Sequence, residues 1–180
     1  MPKEARAMRI AIWILTCGLS VAWAQKDGEK RSAGAHEHGT GKLGMAFERL
    51  QGSWEWEIPM ESIIGFEYQP STPADKKKLA DALETVRTRM AEMVVLPAAS
   101  GCVLTVVKAD GIYKDHGDHM HSDLNASGTI VCRSAVQGEI RFAFQKHFPK
   151  VHKTTVQFLS EAVQTGAEIV DDRGTLRIGK

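Results

Sequence analysis

The chain is 180 residues long, with 43% hydrophobic, 25% charged and 7% aromatic residues. That composition supports one domain with its own core and excludes a collagen-like repeat, a wholly disordered chain or a multi-domain machine. With 23 Lys and Arg against 22 Asp and Glu, the net charge is +1, so no basic excess exists to attract nucleic acid.

Met1–Arg9 carries Lys3, Arg6 and Arg9 against one acid, Glu4. An apolar run from Ile10 to Leu19 follows, and Ala22-Trp23-Ala24 closes the segment. Basic start, apolar middle and small-x-small end predict a secretory signal peptide over 1–24, cleaved after Ala24. The run is shorter than the roughly 20 apolar residues of a bilayer span, so no membrane span is expected after cleavage. Thr16, where a small residue is usual before Cys17, argues against a lipoprotein. Residues 25–35 are polar, rich in Gly, Ser and Lys, and read as a flexible leader. The remainder, 36–180, is expected to be a single secreted domain. Only Cys102 and Cys132 follow the signal, and in an oxidising compartment an even pair predicts a disulfide.

The first folded element is a predicted hairpin. Leu43, Met45 and Phe47 alternate with small or polar neighbours, Gln51-Gly52 reads as the turn, and Trp54, Trp56 and Ile58 alternate with Glu55 and Glu57. Both tryptophans fall on one face. Core packing is the expectation for them, and a ligand-stacking platform is the alternative. Thr72, Pro73 and Asp75 then open one long helix with a capping-box-like start. Its apolar stripe is Leu79, Leu83, Val86, Met90 and Met93/Val94, and Pro97 bars continuation. Lys76-Lys77-Lys78 stands in the first turn, where the macrodipole disfavours cations, and reads as a solvated face.

The second half reads as strands near Val103–Val107, Asp123–Cys132, Ile140–Phe144 and Val151–Leu159. Two shorter ones follow near Ile169 and Leu176. This pattern predicts an α+β fold, mainly antiparallel β-sheet with one long helix and short helical segments. No GxGxxG, Walker loop or GxSxG is present, so nucleotide-binding and serine-hydrolase chemistry have no local support.

Five of the seven histidines fall in His36-Glu37-His38 and in the stretch Asp115–Asp123, which contains His116, His119 and His121. Each stretch holds a His-x-His, and residues two apart in an extended chain point to one side, within about 7 Å. Such rings can converge on one ion, with Asp118 or Asp123 adding an oxygen ligand or orienting an imidazole. Neutral imidazole plus carboxylate suits Zn²⁺, with Cu²⁺ and Ni²⁺ as competitors, whereas Ca²⁺ and Mg²⁺ prefer all-oxygen shells. His147 and His152 read as ordinary surface residues.

Longer signals run along the chain. They are His36-Glu37-His38-Gly39, Pro59, Ile64-Gly65-Phe66-Glu67 with Pro70-Ser71-Thr72, and Leu96-Pro97-Ala98-Ala99 before Cys102. His121-Ser122-Asp123 before Cys132, then Phe148-Pro149 and Val156-Gln157-Phe158, complete the set. On these residues the chain resembles the ZrgA family, zinc-regulated periplasmic proteins formerly catalogued as a domain of unknown function. The resemblance implies a periplasmic zinc binder made under zinc shortage. Such a protein would assist a zinc ABC importer, with the importer's periplasmic binding protein as partner. It also implies a His/Asp-rich loop between the cysteines, here Asp110–Asp123. Tyr68 stands where the family usually has His after Gly-Phe-Glu, and Gly128 where it usually has an aromatic.

The reading that follows is a non-catalytic Zn²⁺-binding protein. Its expected ligands are His36, His38, His119 and His121, with His116, Asp118 and Asp123 as auxiliaries and Glu67 joining if its loop folds back toward His38. A copper- or nickel-binding periplasmic protein and a metal-free envelope interaction protein are the alternatives. A zinc hydrolase has no HExxH or comparable base to support it. Because imidazole binds metal only when deprotonated, affinity should fall as pH drops through about 6.5.

Overall fold

A computed structural model of the chain describes residues 37–115 and 120–179, all within one compact unit. The predicted signal peptide, the leader and His36, His116, Asp118 and His119 lie outside the described residues. Among the described residues no helix is long and apolar enough to cross a membrane.

Strands β1 (Thr40–Glu48) and β2 (Gln51–Pro59) form the predicted hairpin. Leu43, Met45 and Phe47 of β1 and Trp54, Trp56 and Ile58 of β2 are all buried, as their period-2 alternation requires. The tryptophans are core, not a ligand platform: Trp56 stacks on Phe144 at 5.1 Å between ring centroids, and Trp54 Nε1 donates to the Thr105 carbonyl at 3.2 Å. The turn is Arg49-Leu50, not Gln51-Gly52, and Arg49 takes the positive φ of 54°. Gly52 lies within β2 because a Cβ there would come within 2.8 Å of the Phe47 ring. It marks close packing and not a chain reversal.

Two helices follow, α1 (Met60–Ile64) and α2 (Pro73–Met93). The α2 start is as predicted: Thr72 Oγ1 accepts the Asp75 N–H at 3.1 Å and donates to Asp75 Oδ2 at 2.7 Å. Val86, Met90 and Met93 are buried, while Val94 opens a two-residue strand, β3 (Val94–Val95). The lysine run is solvated, with Lys77 paired to Asp81 and Lys78 over the Phe66 ring. A 3-10 turn at Ala98–Ser100 leads on.

Next come β4 (Val103–Asp115) and β5 (Met120–Val131), an antiparallel pair. These strands are longer than their apolar runs indicate. The loop expected over Asp110–Asp123 is mostly strand, with Lys114 opposite His121 and Ile112 opposite Asp123. Apolar run length underestimates β4 because it is an edge strand and can carry exposed polar residues such as Lys108. Cys102 and Cys132 form the predicted disulfide, just outside this hairpin. Gly128 is fixed by crowding, since a Cβ would lie 1.9 Å from the Thr105 carbonyl and 2.7 Å from Trp54 Nε1.

The remaining strands are β6 (Gly138–Phe142), β7 (Lys153–Leu159), β8 (Gln164–Val170) and β9 (Thr175–Ile178). Strand β6 stops short of Phe144 because Asp172 accepts the backbone N–H groups of Phe144 and Gln145 at 2.9 and 2.8 Å, drawing them out of the ladder. The six-stranded sheet runs β4-β5-β2-β1-β7-β8 and the three-stranded sheet β3-β6-β9. The architecture is the expected α+β, with one exception to the antiparallel pattern: β1 and β7 are parallel. One apolar cluster joins the strand core to the buried face of α2 and to Ile140, Phe142, Leu176 and Ile178 of the smaller sheet.

Candidate metal centre

The residues of interest meet where the first described turn, α1 and the start of β5 come together. His38 and Gly39 form the turn that leads into β1. Gly39, at φ +79°, is cradled closely: an added Cβ would lie 2.9 Å from the Lys150 carbonyl and 3.1 Å from the His152 ring. Its N–H donates to the buried Ser62 Oγ of α1 at 2.7 Å, and its carbonyl accepts from the His152 and Lys153 N–H groups. Helix α1 ends at Gly65, in the left-handed region at φ +90°, which the missing side chain permits. That sharp ending turns Phe66 into the core and brings Glu67 back toward the His38 turn.

Glu67 lies between the two histidine stretches. Its Oε1 is 3.7 Å from His38 Nε2 and its Oε2 is 3.7 Å from His121 Nδ1. Both separations exceed a hydrogen bond. They are close to the roughly 3.3 Å between two ligands that share a tetrahedral zinc at bonds of about 2.0–2.1 Å. Oε1 is buried and has no hydrogen-bond partner among the described residues.

Two further carboxylates belong to the same elements, Glu61 of α1 and Asp123 of β5, and each has an ammonium within 4 Å. Glu61 of α1 accepts from Lys150 Nζ at 2.7 Å through Oε1 and lies 3.1 Å from His38 Nδ1 through Oε2. The Lys150 hydrogen bond holds the Glu61 carboxyl below the usual carboxylate range, against the opposing effect of partial burial, and His38 adds a smaller lowering. Asp123, 1% exposed, lies 3.7 Å from Lys114 Nζ. Glu67 differs, because among the described residues its ion-pair partners are both imidazoles. A carboxylate flanked by two nitrogen donors and no fixed cation has the charge and donor chemistry to accept a divalent metal.

Of the sequence-predicted residues, the structure brings His38, Glu67 and His121 together and sets Asp123 two residues along β5. Glu67 does fold back toward His38. His36, His116, Asp118 and His119 lie outside the described residues. Among the described residues no group of three or more His, Cys, Asp or Glu side chains is placed to hold a metal ion. His147 stands elsewhere, beside Glu92 at 3.3 Å, while the His152 ring packs against Gly39 and turns Nδ1 toward Asp171 at 3.5 Å. Tyr68 is half-exposed and stacks on Phe66 at 4.4 Å. Sequence reasoning missed Glu61 and Lys150. An acid in the first turn after Pro59 was a faint signal for Glu61, and nothing local marks Lys150.

The α+β domain thus sets one carboxylate between two imidazoles. The profile described as ZrgA family zinc uptake protein matches residues 35–178. The chain therefore belongs to the ZrgA family of zinc uptake proteins, as its motifs indicate. No curated protein matches it closely enough to serve as a relative.

Proposed function

We propose that this chain is a non-catalytic periplasmic protein that binds Zn²⁺ as cargo and passes it toward a zinc ABC importer, with the importer's periplasmic binding protein as recipient. The carrying observation is the position of Glu67, 3.7 Å from a ring nitrogen of both His38 and His121, with no lysine or arginine paired to it among the described residues. His38, His121 and Glu67 are the central ligands. His36, His116, His119, Asp118 and Asp123 complete or adjust the shell. Membership of a zinc uptake family supports zinc over copper or nickel. The disulfide and the signal-like start of the sequence support export.

An accessible site suits cargo that must leave again: the His38 side chain is 58% exposed. Calorimetric zinc titration of the protein tests the reading. Binding should weaken strongly from about pH 7.5 to about pH 5, because imidazole takes up protons in that interval. Equal affinity at both values would remove histidine ligation and the proposal with it.

A further inference from the structure

We infer that Glu61, clamped by Lys150, is the positioning residue that fixes the proton of His38 on Nδ1 and so presents Nε2 to the metal. This rests on the reading of His38 as a ligand. A carboxylate only accepts hydrogen bonds, so the 3.1 Å contact between Glu61 Oε2 and His38 Nδ1 requires the hydrogen on Nδ1. In the neutral ring, Nε2 then carries the lone pair, and Nε2 is the nitrogen that faces Glu67. The other oxygen, Oε1, is occupied by Lys150 Nζ at 2.7 Å, which fixes the carboxylate and keeps it beside the ring.

The backbone supports the same assignment. The residue after Glu61, Ser62, holds the Gly39 N–H at 2.7 Å, so consecutive residues of α1 grip the His38 ring and the His38–Gly39 turn. Lys150 belongs to the segment whose carbonyl packs against Gly39, so ring, carboxylate and ammonium are all anchored to one turn. A carboxylate behind a metal-binding imidazole sets its tautomer and raises its basicity, and loss of such a partner typically weakens metal binding about 10–100-fold.

The test uses the whole chain with Glu61→Ala, Glu61→Gln and His38→Ala variants, all of which leave the buried Ser62 contact in place. Nitrogen-15 NMR of the zinc-free protein above the imidazole titration range reads the His38 tautomer, and competition with a chelating dye reads zinc affinity. In the unaltered protein His38 should be protonated at Nδ1. Glu61→Ala should lose that preference and bind zinc about tenfold more weakly. Glu61→Gln keeps the shape, but its one amide oxygen is drawn to the Lys150 ammonium and its NH2 is left facing His38 Nδ1, so it should lose the tautomer preference as Glu61→Ala does.

An Nε2–H tautomer in the unaltered protein would overturn the inference. So would Glu61→Ala affinity within about twofold of the original with the tautomer unchanged, against the tenfold expected. His38→Ala separates the two levels. If it binds zinc as tightly as the unaltered chain, His38 ligation itself fails. If it weakens binding while Glu61→Ala does not, only the positioning role falls.

Discussion

Glu67 and Glu92 both sit beside histidine, yet their surroundings are opposite. Glu92 on α2 is paired with Arg89 at 2.7 Å, Lys146 at 2.7 Å and His147 at 3.3 Å. Those partners, Lys146 first and Arg89 next, hold its carboxyl down to about 2. Glu67 meets only His38 and His121 among the described residues. A histidine beside a glutamate is therefore not the mark of a metal site. The mark is a carboxylate whose positive charge has not been supplied by lysine or arginine, since those permanent cations occupy the place and the charge a metal would take.

The contrast can be broken most forcefully at the histidines. His38→Ala with His121→Ala should weaken zinc binding on the order of a thousandfold, roughly 4 kcal/mol, since losing each ligand should cost at least what an outer-shell loss does. His147→Ala should leave zinc affinity unchanged. A calorimetric or dye-competition titration of both variants checks the pair of outcomes, and a zinc defect in His147→Ala would erase the distinction.

The disulfide sharpens the comparison by separating stability from binding. Cys102 and Cys132 lie at the opposite end of the β4–β5 hairpin from Lys114 and His121. Replacing both by serine should lower stability by roughly 3–4 kcal/mol, on a chain-entropy account of a loop of this size. Denaturant unfolding measures that loss. Zinc affinity of the folded variant should stay the same, and a parallel loss of affinity would tie the centre to the far end of the sheet.

Glu67→Gln keeps the shape and removes the charge. It should weaken zinc binding at least about tenfold, whereas Glu92→Gln should not change it. A Glu67→Gln protein that titrates zinc normally would make the carboxylate incidental.

The smallest effect concerns acid stability. Glu92 is depressed in the folded state, so its contribution is present above the ordinary carboxylate range and fades as pH falls from about 4.5 toward about 2. Thermal unfolding of Glu92→Gln should therefore show a shallower loss of stability over that interval than the unaltered chain. Because the pairs are solvent-exposed, the difference should be small. Identical acid profiles would show that the ion pairs do not persist in solution.

Much of the scaffold was legible in the residues. The alternation around Trp54 and Trp56 identified the buried face of β2, and Thr72, Pro73 and Asp75 marked the start of α2. What misled was local chemistry overruled by packing. Gly52 reads as a turn but lies under Phe47, and the polar stretch around Asp115–Asp123 reads as loop although its described residues are strand. The parallel β1–β7 pair has no local signature, because it joins segments separated by nearly the whole domain.

Three of the proposed ligands were legible in the sequence, and the residues that surround them were not. His38 and His121 stand out by their His-x-His pattern, and Glu67 by its motif. Their approach depends on the left-handed stop at Gly65, and the proposed tuning of His38 rests on Glu61 and Lys150. Those two residues meet only because α1 and the segment after Phe148-Pro149 both pack on the His38–Gly39 turn, a tertiary contact that no spacing rule encodes.

Anomalous diffraction at the zinc edge from zinc-loaded crystals tests the central claim most directly. The account predicts a peak bonded at about 2.0–2.1 Å to His38 Nε2, His121 Nδ1 and a Glu67 oxygen. A peak at Glu92 and His147, or one that leaves Glu67 uncoordinated, would contradict it.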